Sequence, residues 1–221
     1  MVGIYQVKPA FQRSLRSVED VLVARRVHPD WLTYTALILS VIGGMCLYFA
    51  PVSIGLLAPV PIICIVRTAL NALDGLVARR TGLARPWGEV LNEFCDRLAD
   101  VALLGGLALA APTAHLLGAT TVIAMLLASY MSVLAKAAGA GRQYGGPMGK
   151  ADRMVLLAVT AVIGFFVQLD LVYNAFLVLV LTGVAITLVS RARSAHRELT
   201  LSLQSQGRGG AAPSRVAEPR L

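Results

Sequence analysis

Residues 71–100 read NALDGLVARRTGLARPWGEVLNEFCDRLAD, and they set five carboxylates, Asp74, Glu89, Glu93, Asp96 and Asp100, in or beside segments otherwise apolar enough to lie in a lipid bilayer. A carboxylate at the centre of a membrane helix costs roughly 2.5 to 3.5 kcal/mol even on lenient insertion scales. Acid groups kept at that cost mark a functional or a paired site, so this stretch is where function is to be sought.

The rest of the chain supplies the membrane context. Of its 221 residues 57% are hydrophobic, and the mean hydropathy is +0.70, beyond what a soluble globular domain carries. Aromatic residues make up only 6%, while Ala, Leu, Val and Gly dominate, which suits helices packed through small residues rather than a barrel of alternating strands. The expected fold is an all-α polytopic membrane protein. Apolar stretches near the roughly 20 residues that span a bilayer fall at 31–50, 53–78, 89–112, 114–135, 154–169 and 172–190, which predicts six crossings.

Lys and Arg are placed on one side only. Lys8, Arg13, Arg16, Arg25 and Arg26 precede the first span, and Arg79, Arg80 and Arg85 lie between the second and third. Lys136, Arg142, Lys150 and Arg153 lie between the fourth and fifth, and Arg191, Arg193 and Arg197 follow the last. Short basic loops stay in the cytoplasm, so both termini are expected there, in a plasma-membrane protein. The net charge of +8 is then an orientation signal, and nucleic-acid binding is not implied. Residues 1–30 read as an N-terminal cytoplasmic segment, within which 7–27 suits either a helix lying along anionic headgroups or a solvated arm. Residues 31–195 form the six-helix unit, and 196–221 read as a disordered cytoplasmic tail, rich in Gly, Ser, Ala, Pro and Arg from about Leu203. Cys46, Cys64 and Cys95 are widely spaced and act as small hydrophobes. His28, His115 and His196 are solitary and receive no role.

On a helix, Asn71, Asp74, Gly75 and Ala78 share one narrow face at the cytoplasmic end of the second span. Gly88, Asn92, Asp96 and Asp100 then follow at four-residue intervals along the third. Carboxylates so close in a poor dielectric repel unless a cation sits among them. Oxygen-only donors favour a hard ion, Mg²⁺ or Mn²⁺, which typically bridges protein to phosphate. Gly75 and Ala78 leave room for a ligand to approach the backbone, and Arg79 offers a bidentate phosphate donor. Arg67 and Arg97, at membrane depth, are expected to pair with carboxylates rather than to touch substrate.

These residues resemble the signature of the CDP-alcohol phosphatidyltransferase family, DxxDGxxARx₈GxxxDxxxD across the second and third membrane helices. Asp74, Gly75, Ala78, Arg79, Gly88 and Asp96 occupy the motif's places, with Asn71 and Asn92 at its first and third acidic positions. The resemblance extends to six spans with cytoplasmic termini, an N-terminal surface helix and the segment PMGKADR opening the fifth span. It implies transfer of a phosphatidyl group from CDP-diacylglycerol to a small alcohol with release of CMP, metal ions held by Asn71, Asp74, Asn92 and Asp96, and Asp96 as general base. It implies a homodimer as well. Lys150 and Arg153 are the expected acceptor-binding pair, ahead of Lys136 and Arg142. Because two acids are replaced by amides, Asp100 is expected to join Asp96 as a displaced acidic pair, with Glu89 or Glu93 nearby. The rival readings are a catalytically silent relative that still binds nucleotide or lipid, and a transporter, for which the chain lacks broken spans or an inverted repeat.

Overall fold

A computed structural model of the chain describes residues 11, 13–111, 115–143 and 145–209. Among them are seven α-helices: α1 (Arg16–Ala24), α2 (Pro29–Phe49), α3 (Pro59–Arg80), α4 (Pro86–Ala110), α5 (His115–Ala137), α6 (Lys150–Ile163) and α7 (Leu169–Gly209). A single 3₁₀ turn, Ile54–Leu57, leads into α3. The chain is an all-α, multi-pass membrane protein. Four helical stretches are long and apolar enough to cross a bilayer: Pro29–Phe49, Ile54–Arg80, His115–Ala137 and Leu169–Ser202. The other two expected crossings fall short for different reasons. α4 has 25 residues, about 37 Å at 1.5 Å each, but carries the acidic cluster with Arg97. α6 has only 14 and ends at Ile163, six residues before the expected boundary, while starting four earlier at Lys150.

Helix starts follow local chemistry. Pro29, Pro59 and Pro86 stand in the first turns of α2, α3 and α4, where a missing N–H is harmless and the fixed φ favours helix. His28 caps α2 by accepting from the Asp30 N–H at 3.3 Å, so one of the histidines left without a role has a structural one. The core is apolar and continuous, with Leu47, Leu57, Leu103, Leu104, Leu107, Met125, Leu157, Phe176 and Leu177 all buried. α2 and α4 cross so closely that a Cβ on Gly44 would lie 2.2 Å from the Ala102 carbonyl oxygen, and one on Gly106 2.1 Å from that of Gly44. Only glycine permits this approach, and it makes α2 the spine on which α3 and α4 both lean.

At the end of the bundle where α2 starts and α3 ends, α1 and the residues flanking it pack through Leu15, Leu22, Val23 and Val27 onto Leu32, Leu70, Leu73 and Val77. Arg80 pins it with ion pairs to Asp20 at 2.6 Å and Glu19 at 3.3 Å. The expected N-terminal helix thus exists over a shorter stretch than 7–27, whose residues 7–10 and 12 lie outside the described residues. α7 continues as helix to Gly209, which corrects the disordered reading of 196–209. The apolar face that binds Ala195 and Leu199 to Ala135 and Ala140 keeps the helix docked beyond the last crossing. Residues 210–221 lie outside the described residues.

Candidate active site

α3 and α4 run antiparallel through the turn at residues 81–85, yet both pack mainly on α2, and α3 also on α6. The motif faces therefore look onto a space between two helices that do not close on each other. Asp74 is 4% exposed and accepts hydrogen bonds from the Thr33 hydroxyl at 3.2 Å and the Gly75 N–H at 2.6 Å. No ion pair joins it to a described Lys or Arg; the charged groups acting on it are Asp96 from α4 and Lys150 from α6. Asp96 is paired through Oδ1 with the Lys150 ammonium, the two side chains keeping 14% and 27% of their surface exposed. Asn92 Oδ1 and Asn71 Nδ2 are buried atoms with no hydrogen-bond partner. Neutral amides in such a position await a ligand.

The motif glycines are open where the α2–α4 glycines are tight. A methyl on Gly75 would meet only the Arg79 guanidinium, at 3.3 Å, and one on Gly88 only the flexible Arg85 side chain, at 3.4 Å. Ala78 is partly buried and Arg79 exposed on the same helix end. Small residues here do not serve packing, which leaves room beside the backbone.

Asp100 corrects the expectation of a displaced acidic pair. It is fully buried, with Oδ1 accepting from Arg67 Nη2 at 2.6 Å, Oδ2 from Arg153 Nη2 at 2.6 Å, and Arg97 Nη1 at 3.4 Å. Both oxygens are spent on guanidinium groups, and none faces Asp74. Arg67 pairs with a carboxylate as expected, reaches the Asp96 carbonyl oxygen at 3.4 Å and is itself wholly buried. Arg153, expected at the acceptor, is 3% exposed, with its other terminal nitrogen on the Met148 carbonyl at 3.3 Å. Helical phase accounts for both: Asp100 and Arg153 lie one turn deeper than Asp96 and Lys150, where no water reaches.

Glu89 and Glu93 also turn away from the site. Glu89 meets Lys136 at 2.5 Å and Arg142 at 3.8 Å, and Glu93 meets Arg142 and Arg97. This second charge cluster rims a groove of about 820 Å³ between α4 and α5, walled by Val90, Phe94, Ile123, Leu127 and Tyr130 and not lined by Asp74 or either asparagine. Two contributors to the site escaped the sequence reading. Thr33, on α2, has no motif to signal it. The Met148 N–H donates to Thr187 Oγ1 at 3.0 Å, which fixes the entry to α6 and hence Lys150.

The chain is similar to known proteins. No family model matches the chain. The inner membrane protein YnbA of Escherichia coli is 36% identical over 157 residues, 71% of this chain and 77% of that one. The archaetidylinositol phosphate synthase of Pyrococcus horikoshii is 25% identical over 71% of this chain and 80% of its own length. The phosphatidylinositol phosphate synthase of Mycolicibacterium smegmatis is 28% identical, with 73% of each covered. The chain belongs to the CDP-alcohol phosphatidyltransferase family. Its fold is that of the phosphatidylinositol phosphate synthase PgsA1 of Mycobacterium tuberculosis, solved with CDP-DAG bound (TM-score 0.69, 23% identity, 83% of this chain and 94% of that one). The same protein was solved with manganese and citrate (TM-score 0.68, 81% and 87% covered). Asp74 on α3 and Asp96 on α4 lie near enough to act electrostatically on each other.

Among the described residues no group of three or more His, Cys, Asp or Glu is placed to hold a metal. The fit to a hard cation rests on Asp74, a buried carboxylate without an ion-pair partner, Asp96 on the facing helix, and the unpaired amide oxygen of Asn92. All are oxygen donors of the kind Mg²⁺ and Mn²⁺ prefer, so the residues fit such an ion.

Proposed function

We propose that this chain moves a phosphatidyl group from CDP-diacylglycerol to the hydroxyl of a small alcohol, releasing CMP, as a step in phospholipid biosynthesis. The observation that carries this reading is the juxtaposition of Asp74 and Asp96 across the gap between α3 and α4, with the Lys150 ammonium entering from α6. Family membership makes the chain a transferase; the relatives' names favour a phosphorylated inositol or a similar polyol as acceptor.

In this reading Asp74, Asp96 and the Asn92 amide oxygen are the residues that would hold divalent metal, and the Asn71 amino group faces a donor phosphate oxygen. When bound, Mg²⁺ or Mn²⁺ would neutralise the donor pyrophosphate and stabilise charge on the attacking hydroxyl oxygen and on the oxygen that leaves with CMP. The open face formed by Gly75, Ala78 and Gly88 takes the nucleotide end of the donor, and Arg79 grips a phosphate oxygen from the helix end. Asp96 accepts the proton of the attacking hydroxyl, the task of a positioned general base. Lys150 orients Asp96 and presents its remaining N–H groups to an incoming anion. Asp100, held by Arg67 and Arg153, braces α3, α4 and α6 beneath the site.

The reading includes six crossings of the plasma membrane with both termini cytoplasmic, α1 lying along the inner surface, and a homodimer. The one-sided placement of Lys and Arg supports the orientation, and the family resemblance the dimer. The deciding experiment incubates purified protein with CDP-diacylglycerol, Mn²⁺ and a panel of alcohols that includes inositol phosphate, and follows CMP. Acceptor-dependent CMP release is expected; nucleotide binding without release from any acceptor overturns the reading in favour of a silent relative.

A further inference from the structure

Five oxygen-bearing side chains along the motif, Asn71, Asp74, Asn92, Asp96 and Asp100, would be donors enough for two hard cations. The structure thins that set. Asp100 is withdrawn, with both of its oxygens on the buried guanidinium groups of Arg67 and Arg153. Asn92 leaves an unpaired carbonyl oxygen, which suits a cation, whereas Asn71 leaves an unpaired amino group, which suits a phosphate oxygen and cannot ligate metal. Two carboxylates remain, Asp74 and Asp96, and one of these already carries the Lys150 ammonium.

The formal charge of the site is therefore −2 from Asp74 and Asp96 and +1 from Lys150, or −1 in all. One divalent ion brings it to +1, which the two negative charges of the donor's pyrophosphate more than offset. A second brings it to +3, and two dications repel about four times as strongly as two single charges at the same spacing. The neighbouring carboxylates are already engaged, Asp100 with Arg67 and Arg153, and Glu89 and Glu93 with Lys136 and Arg142. Lys150 is well suited to stand in for the missing ion. It is the first residue of α6, where the Asp152 carboxylate accepts from the Gly149 N–H at 2.8 Å and holds the helix start. A lysine ammonium has three N–H donors, so the contact with Asp96 leaves others for phosphate oxygens.

We propose that this site takes up one divalent cation per chain, on Asp74, Asp96 and the Asn92 amide oxygen, and that the Lys150 ammonium occupies the second cationic position against the same phosphate. The inference rests on the transferase reading above and adds the number of ions and the residue that replaces one.

The test titrates Mn²⁺ into the purified full-length protein in detergent with CDP-diacylglycerol present, counting bound ion by the loss of the free Mn²⁺ electron paramagnetic resonance signal. Saturation at one equivalent per chain is expected, and two equivalents overturn the inference. The variant Lys150→Met separates an electrostatic from a structural role. Removing a competing ammonium should tighten Mn²⁺ binding by threefold or more while CMP release falls at least tenfold. Lys150→Arg, which guards against misfolding of the first variant, should keep one equivalent and part of the turnover. Weaker Mn²⁺ binding by folded Lys150→Met overturns the inference. Two equivalents with CMP release sink this inference alone, whereas neither Mn²⁺ binding nor CMP release in the unaltered protein takes the transferase reading down with it.

Discussion

Asp96 and Asp100 stand one turn apart on α4 and carry the same functional group, yet the protein uses them in opposite ways. Asp100 is dry, fully enclosed and saturated by arginines from α3 and α6. Asp96 keeps part of its surface open and has a single, partly exposed lysine as its side-chain partner. A step of about 6 Å along a helix separates a structural brace from a reactive group, and what changes over that step is access to water. Deep in the bundle a carboxylate survives only if its charge is matched on the spot; nearer the end of the bundle it can stay available.

That contrast gives the two largest expected effects. Asp100→Ala leaves Arg67 and Arg153 as uncompensated buried cations, and removal of one partner from such a network costs about 3–5 kcal/mol. Folded yield by size-exclusion chromatography should collapse, and Arg67→Ala should do the same with little change in substrate affinity of what survives. Asp96→Asn has the opposite profile: yield and melting temperature near those of the unaltered protein, and CMP release down by about 10²- to 10⁴-fold, the usual contribution of a positioned base. If the two variants behave alike, the division between brace and base is wrong.

Glycines repeat the contrast on a smaller scale. A side chain on Gly44 runs into the Ala102 backbone carbonyl, so Gly44→Val must push α2 from α4 and should lower stability by at least the roughly 1–3 kcal/mol of an overpacked core. Gly75→Ala meets only the tip of Arg79. It should hold or raise stability, since alanine favours a helix interior by roughly 0.5–1 kcal/mol over glycine, while the KM for CDP-diacylglycerol rises several-fold. Thermal melting and donor kinetics on the two variants read the signs directly.

Much of this was legible beforehand because hydropathy and spacing are one-dimensional. The crossings at Pro29–Phe49 and His115–Ala137, the motif face from Asn71 to Ala78 and the need for Arg67 to pair all follow from residue order. The partners of Asp100, Glu89 and Glu93 did not, because three- and four-residue spacing places a group on a helix face without saying which neighbour lies opposite. Glu89 and Glu93 are only three residues from Asn92 and Asp96, respectively, in sequence, yet a rotation about α4 delivers them to Lys136 and Arg142 instead. Thr33 was invisible for the same reason. The continuation of α7 past Ala195 was missed because a composition rich in Gly and Ser past Leu203 masked the apolar contacts of Ala195 and Leu199.

The mildest test lies where the brace meets solvent. The segment between α5 and α6, which delivers Lys150, is tied to α7 by Glu198, accepting from the Gly141 N–H at 2.6 Å and from Gln143 Nε2 at 2.9 Å. Arg191 also holds it, through the Gly145 carbonyl at 3.1 Å. Bonds this exposed contribute about 0.5–1.5 kcal/mol each at most, and Arg191 and Thr187 remain when Glu198 is lost. Glu198→Ala should therefore barely move the melting temperature. It should loosen the approach of Lys150, raising the acceptor KM two- to fivefold with the donor KM unchanged. An equal rise in both would show that α7 steadies the whole site rather than the acceptor side alone.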